Sequence, residues 1–180
     1  MKKIVITYGL IASAISAVLW IIISYFMKQG KGFEYGMLIG YTAMLISFIF
    51  IYFGMKSYKE NVGNGYLSFG KAVQIGLLIT LIACVCYVIT WAIVYNTMIP
   101  DFMDKYIAYD IDKMRASGAS PAEIEKHTAA CAKMKEDYKK PIFFFLHTFI
   151  EPLPVGILIT LVSALILRTK NKIKNTITVN

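Results

Sequence analysis

Four stretches of this chain contain no Asp, Glu, Lys or Arg, with one exception: Ile4 to Met27, Tyr35 to Met55, Ala72 to Ile99, and Ile142 to Leu167, where Glu151 stands. Each is at least as long as the roughly 20 residues that cross the hydrocarbon of a bilayer as a helix. Backbone exposed to lipid must satisfy its own hydrogen bonds, so runs of this length read as helices. The pattern predicts spans at about 4–27, 35–55, 72–99 and 142–167. Lys2-Lys3 followed by apolar residues imitates a signal peptide, but the run exceeds the roughly 7 to 15 residues of a cleaved core. It is expected to be a retained first span.

The polarity changes abruptly between the third and fourth runs, at 101–140. Pro100-Asp101 opens a helical pattern that reaches Arg115, and Ser117-Gly118 breaks it. Ser120-Pro121-Ala122-Glu123 then supplies an N-cap, a proline at the first helical position and a capping-box glutamate, so a second helix is expected to run to Lys140. Its positions Ile124, Thr128, Cys131, Met134 and Tyr138 recur at the spacing of one helical stripe, which Phe102, Tyr106 and Tyr109 can face. The predicted fold is all-α: a four-helix transmembrane bundle with an extramembrane antiparallel helical hairpin between spans three and four. His127 and Cys131 are four apart, but two ligands make no metal site, and core packing explains them; no metal is expected.

Composition agrees with a membrane setting: 57% of residues are hydrophobic, 17% are charged, and mean hydropathy is +0.59. The net charge of +8 is not gathered into a basic domain, so nucleic acid is not an expected partner. It follows the membrane sides. With the N-terminus inside, the cytoplasmic segments hold Lys2, Lys3, Lys56, Lys59, Lys71, Arg168, Lys170, Lys172 and Lys174 against the single acid Glu60. The outer segments hold Lys28, Lys31 and an insert whose eight bases are matched by eight acids, so the raw count of bases is close and density and proximity to the spans decide. This distribution favours both termini in the cytoplasm. Counting about 20 residues outward from the basic anchors puts Trp20 and Trp91 at similar depth near the outer interface, where indoles prefer to sit. Cys84 and Cys86 point to different sides of one helix and Cys131 stands in the insert, so no disulfide framework is expected.

Small residues recur every fourth position in each span: Gly9, Ser13 and Ala17; Gly32, Gly36 and Gly40; Gly76, Thr80 and Cys84; Gly156, Thr160 and Ala164. Helix association in lipid depends on close backbone approach, so these ladders are expected at helix contacts, within one chain or across a homo-oligomer. The turn from Lys56 to Lys71 carries an Asn64-Gly65 signal and aromatic residues. Its Lys56, Lys59 and Lys71 serve as topology anchors or hold anionic lipid headgroups.

Glu151 is the residue to ask about. An ionised group in hydrocarbon costs roughly 2.5 to 3.5 kcal/mol, so it needs a partner, a water pocket or a role. Counted from Arg168 it lies roughly 25 Å up the fourth span, about 5 Å below the outer boundary. Pro152 and Pro154 donate no backbone hydrogen bond to the carbonyls of Thr148 and Ile150, so a kink is expected. Two readings follow. In one, Glu151, the Thr148 hydroxyl, the freed carbonyls and His147 form a binding or relay site. In the other, Glu151 is neutral or bonded to a neighbouring helix, for example to a tyrosine.

Catalytic signatures such as HExxH, GxSxG or a Walker loop are missing, so no enzyme activity and no cofactor are expected. The segments Gly65-Tyr66-Leu67-Ser68-Phe69-Gly70-Lys71 and Glu151-Pro152-Leu153-Pro154-Val155-Gly156, with the polar insert before the last span, resemble the domain-of-unknown-function 4199 family of small four-span bacterial membrane proteins. The resemblance covers nearly the whole chain and implies a multi-pass protein of the bacterial inner membrane, without implying an activity. The leading expectation is a non-enzymatic interaction or accessory protein that meets the bilayer and a protein partner through its outer hairpin. The rival is a small transporter or ion-coupled permeation unit using Glu151.

Overall fold

A computed structural model of the chain describes residues 1–29 and 36–169. Every element among them is helical: α1 (Lys2–Lys28), α2 (Gly36–Asn61), α3 (Phe69–Thr97), α4 (Phe102–Ala116), α5 (Pro121–Tyr138), α6 (Pro141–Ile150) and α7 (Leu153–Leu167). Four helical stretches, Lys2–Lys28, Leu38–Asn61, Phe69–Thr97 and Pro141–Leu167, are long and apolar enough to cross a membrane. The last is α6 and α7 in line, interrupted at Glu151-Pro152, where the prolines leave the ladder without N–H donors.

α3 is the hub of the bundle. It packs against α1, α2, α6 and α7, while α1 and α7 each also pack on α2. The closest approaches occur where a side chain is missing. A Cβ on Gly9 would lie 2.9 Å from Ile82, and one on Gly54 2.5 Å from Ile79. Gly76 and Thr80 of α3 meet Thr160 and Gly156 of α7 in antiparallel register: a Cβ on Gly76 would lie 2.6 Å from Thr160 Cγ2, and one on Gly156 2.3 Å from Thr80 Cγ2. Each threonine thus fills the notch left by the glycine opposite. The two hydroxyls lie 3.4 Å apart, and Thr80 also donates to the Gly76 carbonyl at 2.9 Å. Backbone proximity of this kind is what holds helices together where burial from water gives little.

In α2, a Cβ at Gly40 would meet nothing within 4 Å among the described residues of this chain, and the close contact within the bundle is made by Gly54. Gly32 lies outside the described residues, as does the packing of Gly36. In α1, Gly9 and Ser13 are buried and Ala17 is half-buried. Outward-facing residues such as Leu10, Val18, Leu45, Ile89, Leu158 and Ile166 are exposed apolar side chains, as a lipid-facing surface requires.

At one end of the bundle, Asn64 (φ 47°) and Gly65 (φ 82°) form the turn between α2 and α3, and Ser68 caps α3 by accepting from the Lys71 N–H. The chain leaving α7 clasps this turn: Thr169 N–H donates to the Leu67 carbonyl at 2.8 Å, and the Leu67 N–H donates to Thr169 Oγ1 at 3.0 Å. At the other end stands the hairpin. Gly118 (φ 80°) terminates α4, and Ser120 and Glu123 form the reciprocal capping box that starts α5. α5 ends at Tyr138, short of Lys140. Its inward stripe also differs by one position, for Thr128 is exposed and turns its hydroxyl back to the Ile124 carbonyl, while His127 faces α4.

An aromatic joint seats the hairpin on the bundle. Trp20 of α1 and Trp91 of α3 lie with ring centroids 4.8 Å apart, so the two indoles share one level. Phe102 of α4 meets Trp91 edge-on at 5.0 Å, and Tyr138 of α5 packs against Tyr95 and Phe144 at 5.8 and 5.2 Å. Offset and edge-on pairs of this kind are worth about 0.5 to 1.5 kcal/mol each beyond their buried area.

Candidate functional site

The break between α6 and α7 lies beside Tyr87 of α3, which stands one helical turn before Trp91. The Tyr87 hydroxyl donates to Glu151 Oε2 at 3.1 Å. Tyr87 itself is buried, with its ring edge-on to Trp20 at 5.9 Å. The phenol is thus enclosed by the bundle while the Glu151 side chain keeps open surface. Pro152 is buried and, with Tyr87, Ser16, Ser47 and Ala83, lines a cavity of about 10 Å³, the space of about one water molecule. Pro154 faces outward.

The other residues named with Glu151 divide into two groups. Thr148 lies one turn before the kink and is 1% exposed, and its Oγ1 has no hydrogen-bond partner among the described residues. Tyr138 brings its hydroxyl close to Thr148 without reaching hydrogen-bonding geometry. His147 is exposed; its ring stacks on Phe143 at 5.7 Å and meets Tyr138 edge-on at 5.5 Å. It is near enough to act electrostatically on Glu151 but makes no hydrogen bond to it. Together Tyr87, Tyr138, Thr148, His147 and Glu151 form a patch of polar groups where three parts of the chain meet: the hub helix, the hairpin and the kinked span.

Tyr87 was within reach of the sequence. Counted from Lys71 it sits at the same height as Glu151 counted from Arg168, and tyrosine supplies the donor that a carboxylate at that depth requires. Tyr138 gave no such signal, because its nearness to Thr148 depends on how the hairpin leans.

The three lysines considered for headgroups have protein partners. Lys59 Nζ donates to the Leu167 carbonyl at 3.0 Å, so its charge caps the C-terminus of α7. Lys71 Nζ donates to Gln74 Oε1 at 2.9 Å, and Lys56 pairs loosely with Glu60 at 3.9 Å.

The model of a family described as "Protein of unknown function (DUF4199)" matches residues 7–169. The chain belongs to this family. The DUF4199 match runs from within the first apolar stretch to just past the fourth and takes in the hairpin and the Tyr87–Glu151 contact. No curated protein and no solved structure matches the chain.

Proposed function

We propose that this DUF4199 protein is a non-enzymatic, multi-pass protein of the bacterial inner membrane that serves an accessory role by presenting its helical hairpin to a protein partner. Both termini would lie in the cytoplasm and the hairpin in the periplasm, the arrangement favoured by the lysines flanking the Asn64-Gly65 turn and by Arg168. The observation that carries this reading is the joint between hairpin and bundle. Trp91, Tyr95, Phe102, Tyr138 and Phe144 interlock so that α4 and α5 stand as a separate, oriented layer on the spans. A platform whose orientation on the bundle is already set by ring contacts loses less conformational freedom when a partner docks.

Deleting Asp101 to Lys140 and rejoining the spans is expected to abolish crosslinking to the partner in membranes while the shortened chain still inserts. Unchanged crosslinking would overturn the reading.

A second reading rests on the Tyr87–Glu151 contact next to the unpaired Thr148 hydroxyl: a proton or cation could be held at the kink and passed across the membrane. Against it stands the Gly76, Thr80, Gly156 and Thr160 layer, which fills the centre of the bundle below that level. Flux measured in liposomes decides. A pH- or cation-driven flux lost in Glu151→Gln supports permeation, whereas equal flux in both proteins, or none in either, removes it.

A further inference from the structure

The fold brings a third metal-ligating residue to His127 and Cys131. These two lie four apart on one face of α5, and Asp110 of α4 comes to meet them. His127 Nε2 is 2.6 Å from Asp110 Oδ2 and 3.4 Å from Cys131 Sγ, and the three donor atoms all lie within 4.8 Å of one another.

The arrangement resembles a nucleophile–base–acid relay in composition but not in geometry. A relay needs the thiol and the carboxylate on opposite nitrogens of the imidazole. Here both crowd the same nitrogen, Nε2, which can satisfy one of them at a time. A cation at the focus of the three satisfies all of them together. Bonds of about 2.0 to 2.3 Å in a tetrahedron set donors roughly 3.5 Å apart. The sulfur–nitrogen distance, 3.4 Å, is close to that value, and the Asp110 side chain, 30% exposed, has room to move off Nε2 while its oxygen stays within 4.8 Å of the sulfur. Cys131 is buried, so the ion would enter from the side of Asp110 and His127. Tyr106 of α4 lies near Asp110 and Cys131, and a water would complete the coordination.

We propose that Asp110, His127 and Cys131 form a zinc-class metal site that ties α4 to α5. Thiolate, imidazole and carboxylate together suit a borderline-soft divalent ion and disfavour Mg2+ and Ca2+, which take oxygen ligands. The hairpin has a physical need for such a tie. Met103 and Cys131 are its buried residues in α4 and α5, too thin a core to fix two helices, and small helical units commonly add a staple. The site is independent of the partner that the hairpin meets and of the role of Glu151.

The test uses the full chain in detergent, carrying no histidine tag and stripped with a chelator. Zn2+ added back is expected to bind at one equivalent in competition with a chromophoric chelator and to raise the melting temperature. Co2+ in its place should show a thiolate charge-transfer band and the visible bands of a four-coordinate ion. Asp110→Asn, His127→Gln and Cys131→Ser should each weaken Zn2+ by more than roughly 100-fold, beyond the 10- to 100-fold typical of losing an outer-shell partner. Asp112→Asn, an exposed acid paired with Arg115, should bind as the parent does. Absence of stoichiometric Zn2+ binding, a Co2+ spectrum without the thiolate band, or variants that bind like the parent would each overturn the proposal. The Co2+ spectrum is read on the unaltered protein, so it decides the matter even where a variant misfolds.

Discussion

The α3–α7 contact and the α4–α5 hairpin are both pairs of antiparallel helices, yet they are held together by different means. In the first, glycines bring the backbones close, threonines fill the notches, and Thr80 and Thr160 place their hydroxyls 3.4 Å apart. The second has a sparse core and relies on polar contacts between its helices, Lys135 with Asp104 and His127 with Asp110. The contrast follows from solvent. Between spans, the lipid offers as much apolar contact as a neighbouring helix does, so shape decides. In the hairpin, charged groups on both helices choose partners at modest individual gain, and exposed pairs of this kind contribute about 0 to 1 kcal/mol each.

The comparison can be broken at its strongest point first. Gly156→Val drives a branched side chain into Thr80 and is expected to cost about 1 to 3 kcal/mol or more, measured as a loss of melting temperature in detergent. A stable variant would show that α3 and α7 are not notched together. Next comes Tyr87→Phe, which removes the donor to Glu151 and should cost about 1 kcal/mol, the scale of one interhelical hydrogen bond in a membrane. Glu151→Gln keeps an acceptor and should lose less in the same assay.

Smaller effects sharpen the hairpin side. Ser120→Ala is expected to cost about 1 kcal/mol and to do so locally, raising hydrogen exchange in the first turn of α5 while the spans stay protected. Acid should act in the same place. The Lys105 ammonium holds Asp101 below the usual carboxylate range, the Ser120 backbone N–H does so for Glu123, and Lys140 does so for Asp137. Groups with depressed native values stabilise the fold above the ordinary carboxylate range and lose that contribution as pH falls through the native values. Hydrogen exchange followed down the pH scale should therefore show the hairpin loosening before the bundle. Smallest of all, Gly40→Ala should leave stability within about 0.5 kcal/mol, in direct contrast to Gly156→Val.

Much of the architecture was open to reading because it is written locally. Charge-free runs of sufficient length become helices in lipid, Ser120-Pro121-Ala122-Glu123 can start a helix by itself, and Asn64-Gly65 supplies the left-handed backbone that its turn requires. The interruption at Glu151-Pro152 was legible for the same reason, since Pro152 and Pro154 withhold hydrogen bonds from their own helix. The candidate site was legible only in part: the depth and the proline context of Glu151 marked it, but not the identity of its donor.

What the chain alone determined is thus which segments become helices, where locally coded ends such as the Ser120 cap fall, and that a carboxylate stands within the last apolar stretch. Only the tertiary structure decided that Tyr87 answers Glu151, that Gly54 rather than Gly40 receives a neighbour, that Lys59 closes the end of α7, and that Asp110 joins His127 and Cys131. Each of these depends on the rotation and height of one helix relative to another. Periodicity within a single helix states which residues share a face, but the face it meets is set by how all the helices pack at once.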